Sequence, residues 1–199
     1  IESAGTKAWN SLVLTNDAAA KTVAITGASN LDLAFVAGAN GFGSVTAPNT
    51  GVSLIDGSAA TGQLAINVAN ITAATAGLTV KGGTAADTLT TSTFATTLTG
   101  GAGADTFVVT ASVAAAVATA TNQVITTITD AGAGDVLKFT IGGTNVFNST
   151  KVDVSTATAL SGGSVNALDL AVTAAGDINN QISWFQYGGN TYIVNHTGA

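Results

Sequence analysis

Residues 81–109 read KGGTAADTLTTSTFATTLTGGAGADTFVV, and this stretch decides the fold. Cut into nines, it gives GGTAADTLT from Gly82, TSTFATTLT from Thr91 and GGAGADTFV from Gly100. The third block satisfies the repeat G-G-x-G-x-D-x-U-x throughout, where U is a large apolar residue. The first departs from it only at Ala85, where a glycine is expected, and the middle block keeps only the apolar position, Leu98. Gly82 and Gly100 are 18 residues apart, as are Asp87 and Asp105. Two nonapeptides complete one coil, so the two glycine-rich turns stack on the same side.

This repeat marks a calcium-binding parallel β-roll. Stacked coils lie about 4.8 Å apart. Carboxylates at that separation repel unless a cation neutralises them. Calcium takes about 6–8 oxygen ligands, carboxylates and backbone carbonyls among them. Glycines let such a turn adopt positive φ, and Leu89, Leu98 and Phe107 are expected to fill the roll. The turn Thr91–Thr96 carries neither glycine nor acid, and no ion is expected there. The plain alternative is a glycine-rich turn before a strand; two blocks in register weigh against it.

The 27 residues of these blocks resemble the RTX family of bacterial proteins exported by type I secretion. The resemblance implies calcium-dependent folding outside the cell. It implies Asp87 and Asp105 as ligands, with turn carbonyls around Gly82, Thr84, Gly100, Ala102 and Gly103.

The composition agrees with a β protein. Only 8% of the 199 residues are charged, the net charge is −6, and Thr, Val, Ala and Gly dominate. Thr and Val favour strands. The acidic balance argues against a nucleic-acid partner, which needs a basic face. There is no cysteine, hence no disulfide or thiolate chemistry. There is no methionine either, which suggests a piece of a longer chain. No run of 18 apolar residues offers a membrane span, and no cleavable signal peptide is expected at the N-terminus.

Before the roll, residues 1–80 show short β-type runs: Ser11–Thr15, Thr22–Thr26, Leu31–Phe35, Ser44–Ala47, Val52–Ile55, Gln63–Val68 and Gly77–Lys81. Turn residues separate them at a spacing that suits a sandwich, a barrel or a solenoid. We read irregular solenoid coils running into the roll of residues 81–110, with a β-sandwich as the alternative. Pro48 belongs in a turn, and Asp32 and Asp56 read as solvated residues in or near strands.

Residues 111–199 read as a C-terminal cap. Ala111–Ala120 is a short helix or a loop. Asp130-Ala-Gly-Ala-Gly-Asp135 lies between strand patterns at Val124–Ile128 and Asp135–Ile141. Ile128, Asp130, Gly134, Asp135 and Leu137 resemble a segment that follows the repeats in RTX proteins. Asp130 and Asp135 either hold a second calcium or cap a hairpin turn. A strand is expected at Lys151–Val154. Asn166–Ala175 has an apolar stripe at helical spacing and a stop at Gly176. Gln181–Tyr187 and Thr191–His196 form a hairpin about Gly188-Gly189-Asn190, expected to cap the roll's open end. ISWFQYGGNTYIVNH, from Ile182, resembles the region before the C-terminus of RTX surface-layer proteins.

The expected fold class is therefore mostly β: a parallel β-solenoid or β-roll with calcium-binding nonapeptide turns, a short helix and a C-terminal capping hairpin. The motifs for nucleophilic, zinc or nucleotide chemistry do not occur, and His196 is the single histidine. An enzyme is not expected. The expected protein is a structural, secreted, calcium-stabilised one of surface-layer type, self-assembling into a lattice and passing through type I secretion machinery. The alternatives are a non-catalytic RTX export module of a secreted hydrolase and an RTX adhesin.

Overall fold

The structure, a computed structural model, describes residues 1–15, 20–36, 52–71, 77–92, 95–110, 125–140, 146–155 and 181–196. The expected strand Ser44–Ala47, the turn at Pro48, the Ala111–Ala120 segment and the helix at Asn166–Ala175 lie outside these residues. The described part is mostly β. Backbone contacts divide the chain into two units: Ile1–Val113 with Val124–Thr140, and Ala114–Gln123 with Ile141–Ala199.

The first unit has eleven strands among the described residues: β1 (Asn10–Leu14), β2 (Thr22–Gly27), β3 (Leu31–Phe35), β4 (Leu54–Ala60), β5 (Leu64–Asn67), β6 (Leu78–Lys81), β7 (Thr88–Thr90), β8 (Thr96–Thr99), β9 (Thr106–Val109), β10 (Thr127–Ile128) and β11 (Val136–Phe139). Odd strands form one sheet, in the order β1-β3-β5-β7-β9-β11; even strands form the other, in the order β2-β4-β6-β8-β10. Every pairing in both sheets is parallel. The chain thus alternates between two sheets and returns one rung further on, a winding compatible with a β-roll or solenoid.

The nonapeptide spacing sets the register. Leu89 pairs with Phe107 and Val80 with Leu98, an 18-residue winding on both sheets. Other windings are longer: Leu31 pairs with Leu64 and Thr106 with Val136. Alternation within each strand gives one inward face. Leu12, Leu33, Ile66, Leu89, Phe107 and Leu137 stack in one column, and Val23, Ile55, Val80, Leu98 and Ile128 in the facing one. Leu89, Leu98 and Phe107 are buried as expected. Each such side chain contributes about 1.5–3 kcal/mol by leaving water.

At the turn beginning with Thr91, hydroxyls take over. Thr91, Ser92 and Thr96 are buried. Thr91 Oγ1 lies 3.1 Å from Thr110 Oγ1 and accepts the Thr110 N–H at 3.0 Å. Ser92 Oγ lies 3.0 Å from Thr96 Oγ1. Buried hydroxyls require such partners.

Asp130–Asp135 forms no hairpin, because β10 and β11 lie in different sheets. It is the corner of another coil. Asp32 is exposed on β3. Asp56, within β4, accepts the Ser58 hydroxyl at 2.6 Å and lies 3.7 Å from Lys81 Nζ.

The second unit holds β12 (Val146–Phe147), β13 (Gln181–Tyr187) and β14 (Asn190–His196) in one sheet. β13 and β14 are antiparallel about the two-residue turn Gly188-Gly189, whose φ angles are 58° and 83°. Positive φ at both positions matches the twist of a tight hairpin. Phe185 is buried and stacks on Tyr192, with ring centroids 5.0 Å apart. Lys151–Val154 forms no strand: the ladder with β13 is at Val146 and Phe147, and the Val152 N–H reaches β13 again, at the Trp184 carbonyl, 2.9 Å. The Asn148 side chain accepts the Thr150 N–H at 3.0 Å, turning the chain and breaking the ladder.

Candidate metal site

Three six-residue turns stack where the even sheet hands the chain to the odd one: Gly82–Asp87, Gly100–Asp105 and Asp130–Asp135. Their last residues lie one position before the paired residues Thr88, Thr106 and Val136, so the three aspartates form a column. Their first residues also stack: Asp130 Oδ1 and Oδ2 accept the Gly100 and Gly101 N–H groups at 2.9 and 2.8 Å.

Each acid of the column reaches the backbone of the preceding coil. Asp135 Oδ1 accepts the Asp105 N–H at 2.8 Å. Asp105 Oδ1 accepts the Asp87 N–H at 2.8 Å, and Asp87 Oδ1 the Leu64 N–H at 2.7 Å. The second oxygens differ. Asp87 Oδ2 takes the Gly83 N–H at 2.5 Å and Asp135 Oδ2 the Gly132 N–H at 2.7 Å. The equivalent donor for Asp105, the Gly101 N–H, goes to Asp130. Among the described residues no donor reaches Asp105 Oδ2, although Asp105 is only 2% exposed. That oxygen turns toward Gly100, where an added Cβ would collide with it.

Glycine is required by this packing. A Cβ on Gly82 would strike Asp87 Oδ2 and the Gly100 carbonyl. Gly101 has φ 97° and sits against the Gly83 carbonyl; Gly103 has φ 124° and sits against Ala85. Thr84 and Ala102 are exposed. Their N–H groups donate to the carbonyls of Ala60 and Gly83 at 3.2 and 3.0 Å. Among the described residues, no N–H donates to the carbonyls of Gly82, Thr84, Gly100, Ala102 or Gly103.

The electrostatics are one-sided. Burial pushes the Asp87 carboxyl above the usual range, its bonds to Gly83 and Leu64 pull back, and the charge of Asp105 pushes further up. Burial likewise raises Asp105, against the Asp87 amide; the charges of Asp135 and Asp130 add to the rise. Asp135 is held low by the amides of Asp105 and Gly132. No lysine contributes to the shifts of Asp87 or Asp105.

The oxygens fit a hard divalent cation with mixed ligands: a buried carboxylate oxygen without a donor, turn carbonyls without donors, and crowded negative charge. They do not form an all-carboxylate cage, since among the described residues no three His, Cys, Asp or Glu side chains are placed to hold a metal. All nine residues singled out from the sequence fall in these turns. Sequence reasoning missed that Asp130 and Asp135 belong to the same stack as Asp87 and Asp105. A signal was present: Ile128 and Leu137 flank Asp130–Asp135 as Leu98 and Phe107 flank Gly100–Asp105.

The chain matches no protein-family model, no curated protein and no solved structure. No helix among the described residues is long and apolar enough to cross a membrane.

Proposed function

We propose that the chain is a structural, calcium-stabilised protein of RTX type, secreted and working at the bacterial cell surface. The observation that carries this is the acid column, in which Asp87 and Asp105 are buried, one coil apart, with no cationic side chain among the described residues to offset them. Two unit charges about 5 Å apart at an effective dielectric of about 20 repel by ~3 kcal/mol. Calcium supplies positive charge and a demand for six or more oxygens. Asp105 Oδ2 and the carbonyls of Gly82, Thr84, Gly100, Ala102 and Gly103 are the oxygens this chain offers it. Asp87, Asp130 and Asp135 hold the turns in register through their amide bonds and add negative charge. A ligand that binds only the folded form stabilises it by about 2.7 kcal/mol at 100 times its dissociation constant.

Type I secretion, assembly of folded units into a surface lattice, and the C-terminal hairpin as a cap belong to the same proposal. It is tested by calorimetric titration of the full chain with calcium chloride, with circular dichroism melts in calcium and in EDTA. Heat of binding and a higher melting temperature in calcium are expected. A flat titration with identical melts refutes the calcium reading. Light scattering of the calcium-loaded protein tests assembly: a monomer at all concentrations refutes the lattice.

A further inference from the structure

The acid column does not run the length of the first unit. Followed through the register, its positions are Asn10, Leu31, Leu64, Asp87, Asp105 and Asp135. Leu31 and Leu64 are buried, as Asp87 and Asp105 are. The geometry of the pocket is shared. A Cβ on Gly57 would collide with Leu64 Cδ1, as one on Gly82 would with Asp87 Oδ2 and one on Gly100 with Asp105 Oδ2. The same inward corner thus holds a leucine in the earlier coils and a carboxylate in the later ones. Beside the Leu31 and Leu64 corners the side-chain acceptor is neutral: Asn30 Oδ1 accepts the Gln63 N–H at 2.9 Å.

Apolar burial changes at the same boundary. Of the seventeen buried residues in the main core among the described residues, fourteen precede Gly82; only Leu89, Leu98 and Phe107 follow it. β7 to β11 average fewer than four residues each, and the turns before and between them hold Asp87, Asp105, Asp130 and Asp135.

We infer that cation dependence is confined to one half of this solenoid: coils before Gly82 fold without the cation and form a template onto which the Gly82–Thr140 coils order when it binds. This rests on the calcium reading and adds a direction to it. The apolar corners at Leu31 and Leu64 need no counter-charge. The edges of β5 and β6 supply preformed partners for β7 and β8. The Leu64 N–H waits for Asp87, and the Ala60 carbonyl for the Thr84 N–H.

Amide hydrogen exchange on the full chain, in calcium and in EDTA, tests it. With calcium at 100 times its dissociation constant, local opening of the dependent half is suppressed about 100-fold. On adding EDTA, amides of residues 83–92, 95–110 and 127–139 should speed by about that factor. Those of residues 22–35 and 54–63 should change less than about threefold. Loss of protection across both halves overturns the inference and leaves the calcium reading standing. No change in either half overturns both. A second measurement uses Asp105→Asn, which keeps an acceptor for the Asp87 N–H, displaces no donor among the described residues from Oδ2 and removes one buried charge. It should restore protection at Leu89 and Thr90 in EDTA several-fold; no gain over the parent chain refutes the role given to charge.

Discussion

Asp105→Asn separates a carboxylate that serves a cation from one that merely caps a turn. Asn keeps an oxygen where Asp105 Oδ1 accepts the Asp87 N–H at 2.8 Å. It replaces Oδ2, the buried oxygen without a donor, and removes the negative charge beside Asp87, Asp130 and Asp135. The repulsion from one neighbour a coil away is ~3 kcal/mol at an effective dielectric of about 20. Relieving it, less the cost of fitting an amide against Gly100, should stabilise the cation-free protein by ~2 kcal/mol. In a chain of this size ~1 kcal/mol moves Tm by roughly 2–4 °C, so the variant should melt roughly 4–8 °C higher in EDTA. In calcium the order should reverse. The parent chain gains ~2.7 kcal/mol at 100 times the dissociation constant, and the variant loses most of that. Circular dichroism melts of both proteins, each in calcium and in EDTA, give the four values needed. Asp105→Ala is the control: it also removes the Asp87 acceptor and should fall below the asparagine variant in both buffers. Crossing of the parent and asparagine curves supports the reasoning. An asparagine variant less stable by the same amount in both buffers refutes it, because a simple cap loses its value regardless of metal.

pH acts on the same pair. The folded-state pKa values of Asp87 and Asp105 are raised, chiefly by burial, so the folded form holds their protons more tightly than the unfolded chain. In EDTA, stability should therefore rise as pH falls through those raised values toward the ordinary Asp pKa of about 4. At lower pH, Asp56 and Asp135, whose folded pKa values are depressed, should lose their contribution. A denaturation series in EDTA that weakens steadily from neutral pH downward contradicts this. Gly101→Ala places a side chain at φ 97° against the Gly83 carbonyl; it should cost ~2 kcal/mol or more and weaken calcium binding, measured by chemical denaturation and calorimetry. Phe185→Ala removes a fully buried ring stacked on Tyr192. It should cost the second unit ~3–5 kcal/mol while the calcium response of the first is kept, as read by near-ultraviolet dichroism and calcium titration.

Much of this arrangement is written in local pattern. Alternation in Leu31–Phe35 and Leu64–Asn67 announces strands with one buried face, because side chains on a strand point to opposite sides. The 18-residue repeat from Gly82 to Gly100 dictates the pairing of β7 with β9 and β6 with β8, because equal windings bring equivalent residues into register. Gly188-Gly189 announces the hairpin, since both turn positions need positive φ. Other features required the folded chain. Asp105 and Asp135 are 30 residues apart; the flanking apolar residues repeat, but the interval has no fixed period, so the stacking itself shows only in the fold. Nothing local shows that Leu31 and Leu64 occupy the corner later filled by aspartates, because the intervening coils differ in length. Nor can spacing say which carboxylate oxygens are taken by amides and which is left over. Hydrogen bonds between coils decide that, and they exist only once the turns are stacked.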